Sequence, residues 1–265
     1  MGYNAAVAPF DFARYTDEVV PAFLDLLLTG AVAPWMQPLF DDIDDWDAAQ
    51  EPLPTGLDWR THCHYLDIST LSPLAIERWT THLPAIQTDG VERCESITCP
   101  LRMHCPLHVS QDEYTAQTLG MLLDMMIEVR CIQPPQFLGR SINLHFYEDI
   151  LEPLDQPGRA LRLLFSRLLS RGGVLGTRMM GPEGIQGWLT PAETQAFADD
   201  LARLDVMLAD ATLDEIDRLF KASQNNATNI PFAEISFSRL RATAVVAVQQ
   251  GLGLLWGNDL LYRGT

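Results

Sequence analysis

TPAETQAFADDLARLDVMLADATLDEIDRLFKASQ, residues 190–224, holds two helix starts of one design. Thr190 stands three residues ahead of Glu193, and Thr212 three ahead of Glu215. In each pair the hydroxyl takes a backbone donor of the first turn, and the carboxylate reaches back to the cap's own N–H. Pro191 occupies a first helical position, where its missing N–H would have had no partner anyway. The stretch therefore predicts helices over 191–209 and 212–224.

Working outward, the same signals continue. Ser110 and Glu113 form a third box and open a predicted helix over 111–131. DFARYTDEVVPAFLDLLLTG carries apolar residues at helical spacing from 11 to 29 and stops at Gly30, with a kink or break implied at Pro21. Further helices are predicted near 72–82, 157–171 and 232–250, and a shorter one over 143–152. The apolar stripe Ile235, Leu240, Val245, Val248, Leu252 and Leu255 reads as core, and TAVVAVQQGLGLLW as a buried helix. Met121, Met125 and Met126 read as gap-filling core side chains. Strand signals are sparse, limited to short stretches such as VLGTRMM (174–180) and LLYRG (260–264). The fold class expected is mostly α: an irregular multi-helix domain with a cysteine-bearing loop and little or no β-sheet.

Two stretches break the helical texture. Residues 30–60 are proline-rich and acidic with interleaved tryptophans, which suits an ordered loop packed over the body. GGVLGTRMMGPEGIQGW (172–188) has six glycines but neither G-x-G-x-x-G nor GK[ST], so it reads as a connection and not as a nucleotide loop. The expected organisation is an N-terminal helical region 1–171 carrying the cysteines, a Gly-rich connector 172–188 and a C-terminal helical region 189–265, or all three as one domain.

Charge narrows the function classes. The formal net charge is −17 and Lys221 is the sole lysine. Phosphate backbones are bound by cations that displace counterions, so an acidic surface argues against nucleic acid and suits a basic or redox protein partner. No window reaches the ~18 consecutive apolar residues of a membrane span. Five cysteines, an odd count, and no charged-then-apolar leader at MGYNAAVAPFDF point to a reducing cytosol and not to a disulfide framework.

The chemistry is expected at CESITCPLRMHCP, where Cys94, Cys99 and Cys105 fall within twelve residues and prolines follow two of them. Pro100 and Pro106 stop helix formation after each sulfur and leave a bent loop able to gather thiolates. Cys63, in the turn-like RTHCHYLD, is the preferred fourth ligand, and Cys131, ending a predicted helix, the alternative. Zinc is the rival metal, because His62, His64, His104 and His108 lie close by in sequence and structural zinc accepts imidazole. Inert or disulfide-paired thiols are the bland alternative.

A distant cysteine followed by a cluster ending CPLRMHC resembles the iron-sulfur motif of WhiB-like regulators, and its tail is similar to that of RecB-type iron-sulfur nucleases. The resemblance covers one loop and implies a [4Fe-4S] cluster on Cys63, Cys94, Cys99 and Cys105. Four residues separate Cys94 from Cys99 where those motifs have two, and no D…ExK core is present. Neither transcription nor DNA cleavage is therefore implied.

Other constellations are sparse. His62, His64 and Asp67 form a hydrolase-like H-x-H set without the sheet such sites need, and His145 with Glu148 forms half of a di-iron motif without its partner. No G-x-S-x-G elbow is present. The leading expectation is a cytosolic metal-binding protein with a [4Fe-4S] cluster in a structural or redox-sensing role. The rivals are an acidic interaction or immunity-type protein without cofactor, and a metal-dependent enzyme of unknown reaction.

Overall fold

NAAVAPF, a stretch with no strand signature, forms an inner strand of a β-sheet. The computed structural model describes residues 3–37, 39, 113–151, 157–171 and 184–260, apart from 205, 210 and 226. In chain order, β1 (Asn4–Phe10) is followed by α1 (Phe12–Arg14), a π turn (Tyr15–Val19) and α2 (Val20–Thr29). Next come α3 (Glu113–Arg130), β2 (Gln136–Arg140), a 3-10 turn (Leu144–Tyr147), α4 (Glu148–Leu151) and α5 (Pro157–Ser170). The chain then forms β3 (Gly184–Leu189), α6 (Pro191–Ala202), α7 (Leu213–Gln224), α8 (Phe232–Gln249) and β4 (Gly253–Asn258).

The four strands make one antiparallel sheet in the order β2-β1-β4-β3, which overturns the expectation of a mostly α fold with little or no sheet. The fold is mixed α and β. The strands were hidden because the inner ones are buried on both faces and show no alternation: all residues of β4 and all but Asn4 of β1 are buried. Alanine-rich β1 also holds a single β-branched residue, Val7, too few to mark a strand. Pro9 is tolerated because β2 begins only at Gln136; the ring meets the end of the ladder, and the Pro9 carbonyl accepts from Gln133 N at 3.1 Å.

Two further readings are corrected by the same sheet. The apolar stripe of 232–255 is not one helix: α8 ends at Gln249, Gly251 turns the chain at φ +68°, and Leu252 N donates to Ala247 O at 2.8 Å. Leu255 therefore packs from β4, and GLLW of TAVVAVQQGLGLLW is strand. The Gly-rich connector 172–188 ends in strand too, since residues 184–188 belong to β3. VLGTRMM and the predicted helix over 72–82 lie outside the described residues, as does LLYRG beyond Leu260.

Most described helices fall close to expectation, but the one expected over 191–209 ends at Ala202, and the one over 143–152 is a 3-10 turn followed by the short α4. Thr190–Glu193 and Thr212–Glu215 are complete capping boxes. Along α8, Phe237, Leu240, Ala244 and Ala247 recur on one buried face, joined by Phe165 from α5 and Phe197 from α6. Ala5, Val7, Leu254 and Trp256 complete this core from the sheet. Tyr147, fully buried, packs edge-on against Phe237 and shares a 2.7 Å hydrogen bond with Ser236 Oγ. Burial pushes its pKa far above the ordinary phenol range, against the opposing effect of Ser236, so it stays neutral. Tyr147→Phe strands a buried Ser236 hydroxyl and is expected to cost about 1–3 kcal/mol in urea unfolding. A smaller cluster of Ile216, Phe220 and Ile235 seats α7 against α8.

Two compact units divide the chain. One comprises Met1–Phe12, Cys131–Gly172 and Pro182–Thr265 and contains the sheet; the other comprises Ala13–Arg130 and Gly173–Gly181. In the second, Pro21 does not break the helix. Proline removes a donor and clashes with the carbonyl four residues back, and the wider π turn takes up this conflict, with Val20 N donating to Tyr15 O. Glu18 binds Arg130 at 2.7 Å and ties this run to α3. Among the described residues, no helix is long and apolar enough to cross a membrane.

Candidate functional site

Cys63, Cys94, Cys99 and Cys105, with His62, His64, His104 and His108, lie outside the described residues. Cys131 lies within. It follows α3 directly, is only 2% exposed, and its carbonyl accepts from Asp11 N at 2.8 Å, beside the Phe10–Ile132 bridge. This is a packed position at the root of the sheet. His145 falls in the 3-10 turn and Glu148 begins α4. Among the described residues, no group of three or more His, Cys, Asp or Glu side chains is gathered to hold a metal ion.

The densest polar cluster sits where α5, β3 and α6 meet. Gly187 lets α5 approach β3 so closely that a Cβ there would stand 2.3 Å from the Arg167 carbonyl. Arg171, just past the end of α5 and 1% exposed, donates from Nη1 to the Trp188 carbonyl at 3.0 Å and to Glu193 Oε2 at 2.8 Å. Its Nη2 binds Glu193 Oε1 at 2.8 Å, and Arg167 Nη1 binds the same oxygen at 2.7 Å. Thr190 N adds a bond to Oε2 at 2.8 Å. Burial opposes ionisation of Glu193, but the Arg171 and Thr190 donors and the two guanidinium charges prevail, and the pKa is pushed down to about 2. A carboxylate so engaged has no proton to give at neutral pH and no free lone pair with which to take one. The cluster clamps three elements together and does not suit acid–base catalysis.

A second buried arginine repeats the theme. Arg239 of α8 donates from Nη1 to the Phe137 carbonyl and from Nη2 to Asp217 of α7, and its guanidinium lies 4.1 Å from the Phe220 ring centroid. Burial lowers its pKa and Asp217 opposes this. Neither arginine was legible as a buried group, because Arg171 stands just past the end of α5 and Arg239 within α8, positions where a cation in the sequence reads as solvent-facing. Glu193 alone carried a signal, as the third residue of its capping box.

Concavity is found at the α6–α7 connection, an open groove of about 710 Å³ lined by Val206, Leu208, Ala211 and Leu219, with Glu215 and Arg218 at its side. Met207 on its rim is 66% exposed. Thr212, through its backbone N–H and its hydroxyl, holds Glu215 below the usual carboxylate range.

Fold and site together define a protein with an antiparallel four-stranded sheet, helices packed on it, and buried arginine–carboxylate clamps. No known family, no curated protein and no solved structure matches the chain.

Proposed function

We propose that the chain binds a metal centre, a [4Fe-4S] cluster, through Cys63, Cys94, Cys99 and Cys105, in a structural or redox-sensing role in the cytosol. The observation carrying this reading is CESITCPLRMHCP, three cysteines in a loop that two prolines keep from becoming helix. The packed position of Cys131, beside backbone hydrogen bonds of the sheet, favours Cys63 as the fourth thiolate. A cluster at such a site supplies one-electron chemistry or cross-links the loop. The nearest groups in sequence able to tune it by hydrogen bonding to sulfur are Arg93, Arg102 and His104. Net charge −17 favours a basic or redox protein as partner and disfavours nucleic acid.

The test is metal analysis of anaerobically purified protein. Brown material with iron and acid-labile sulfide is expected, retained in Cys131→Ser and lost in Cys99→Ser and Cys105→Ser. Stoichiometric zinc without iron moves the site to structural zinc. Absence of both removes the metal reading and leaves an acidic interaction protein. Loss in Cys131→Ser with retention in Cys63→Ser reassigns the fourth ligand.

A further inference from the structure

Arg171 and Arg239 stand at opposite ends of the sheet and are bonded alike. Each gives a terminal nitrogen to a strand carbonyl and pairs with a carboxylate on a neighbouring helix, and each leaves its buried Nε without a hydrogen-bond partner. A buried ion pair contributes little net stability, and an unsatisfied buried donor is costly, so two such residues call for another explanation.

The register supplies one. Pro9 O accepts from Gln133 N and Tyr3 O from Ser141 N, whereas Asn4 O accepts from Asp259 N. Odd residues of β1 thus turn their peptide groups toward β2 and even ones toward β4. Val7 is opposite Gln136 and Ala6 opposite Phe137, so the Phe137 carbonyl points out of the sheet. Leu255, opposite Ala8, turns toward β1; Trp188, opposite Leu255, therefore points its carbonyl away from β4. Phe137 and Trp188 belong to β2 and β3, the outermost of the described strands. Both arginines are spent on outward-facing edge carbonyls, the groups that template pairing with another chain.

We propose that Arg171 and Arg239 seal the two edges of the sheet formed by the described strands, each tying a helix over an outer strand, and that without them these edges pair with those of a second copy of the chain. Methionine at either position keeps the stem's bulk and leaves the carboxylates satisfied. Glu193 retains Arg167 and Thr190 N, and the Asp217 side chain is 45% exposed to water.

Sedimentation of the full chain across a dilution series tests this. The parent's mass should not change with concentration. Arg171→Met and Arg239→Met, each with one open edge that closes on itself about a twofold axis, should double in mass at high concentration. The double variant, with two open edges, should grow beyond that. Arg171→Lys and Arg239→Lys, which keep a donor, should return toward the parent. Arg203→Met removes a surface cation paired to Asp200 and controls for charge; its mass should not change. Methionine variants that unfold cooperatively and keep the parent's mass overturn the proposal. So does loss of cooperative unfolding in both, which would make the arginines stability elements and nothing more.

Discussion

Glu193→Ala is expected to destabilise the folded protein by about 3–5 kcal/mol, because it leaves Arg171 buried without its counter-charge. The loss exceeds that of the arginine variants: Glu193 accepts from two guanidinium groups and the Thr190 N–H, so its removal breaks all of these bonds at once. The helix start suffers too, since Glu193 is the acidic half of the α6 capping box. Urea unfolding at neutral pH measures the change, and a cost below about 1 kcal/mol, the level of an exposed pair, would show that the cluster is solvated. The pH dependence has a definite sign. The folded-state pKa of about 2 lies below the unfolded value near 4.5, so the contribution is complete above pH 4.5 and fades as pH falls toward 2. The parent should lose stability through that window, and Glu193→Ala should lose less.

Gly187→Ala is expected to cost about 3 kcal/mol or more, at or beyond the upper end for overpacking. The added Cβ would meet the Arg167 carbonyl at 2.3 Å, the Leu168 carbonyl at 2.8 Å and Arg171 N at 2.9 Å, all backbone atoms that no rotamer change can move. α5 must lift from β3, and with it Arg171 from the Trp188 carbonyl. Gly251→Ala is the contrast. Its φ is +68° and nothing lies within 4 Å of a Cβ, so only the left-handed conformation penalises it, by about 1 kcal/mol. Equal costs for the two would mean that backbone conformation, and not the close approach, governs Gly187.

Helices were legible in this sequence because their determinants are local. A Thr three residues before a Glu, a proline at the first turn and apolar residues at 3.6-residue spacing act within one or two turns, and α5, α6, α7 and α8 each lie within or near the predicted range. The sheet was not legible, because its determinants are distant. NAAVAPF becomes a strand only when GLLWGN, almost 250 residues further along the chain, comes to pair with it. Burial on both faces erases the alternation that would announce either strand. The run TAVVAVQQGLGLLW shows the limit most plainly: only Gln249 and Gln250 interrupt its apolar character, and the left-handed turn at Gly251 with the pairing to β1 decides that the chain leaves the helix after Gln249 and that its last four residues are strand. For the site, local sequence identifies the cysteine loop and tertiary structure adds what no motif encodes. Cys131 is drawn into the sheet's root, and Arg171, just past α5, and Arg239, within α8, are buried because two outer-strand carbonyls and two carboxylates converge on them.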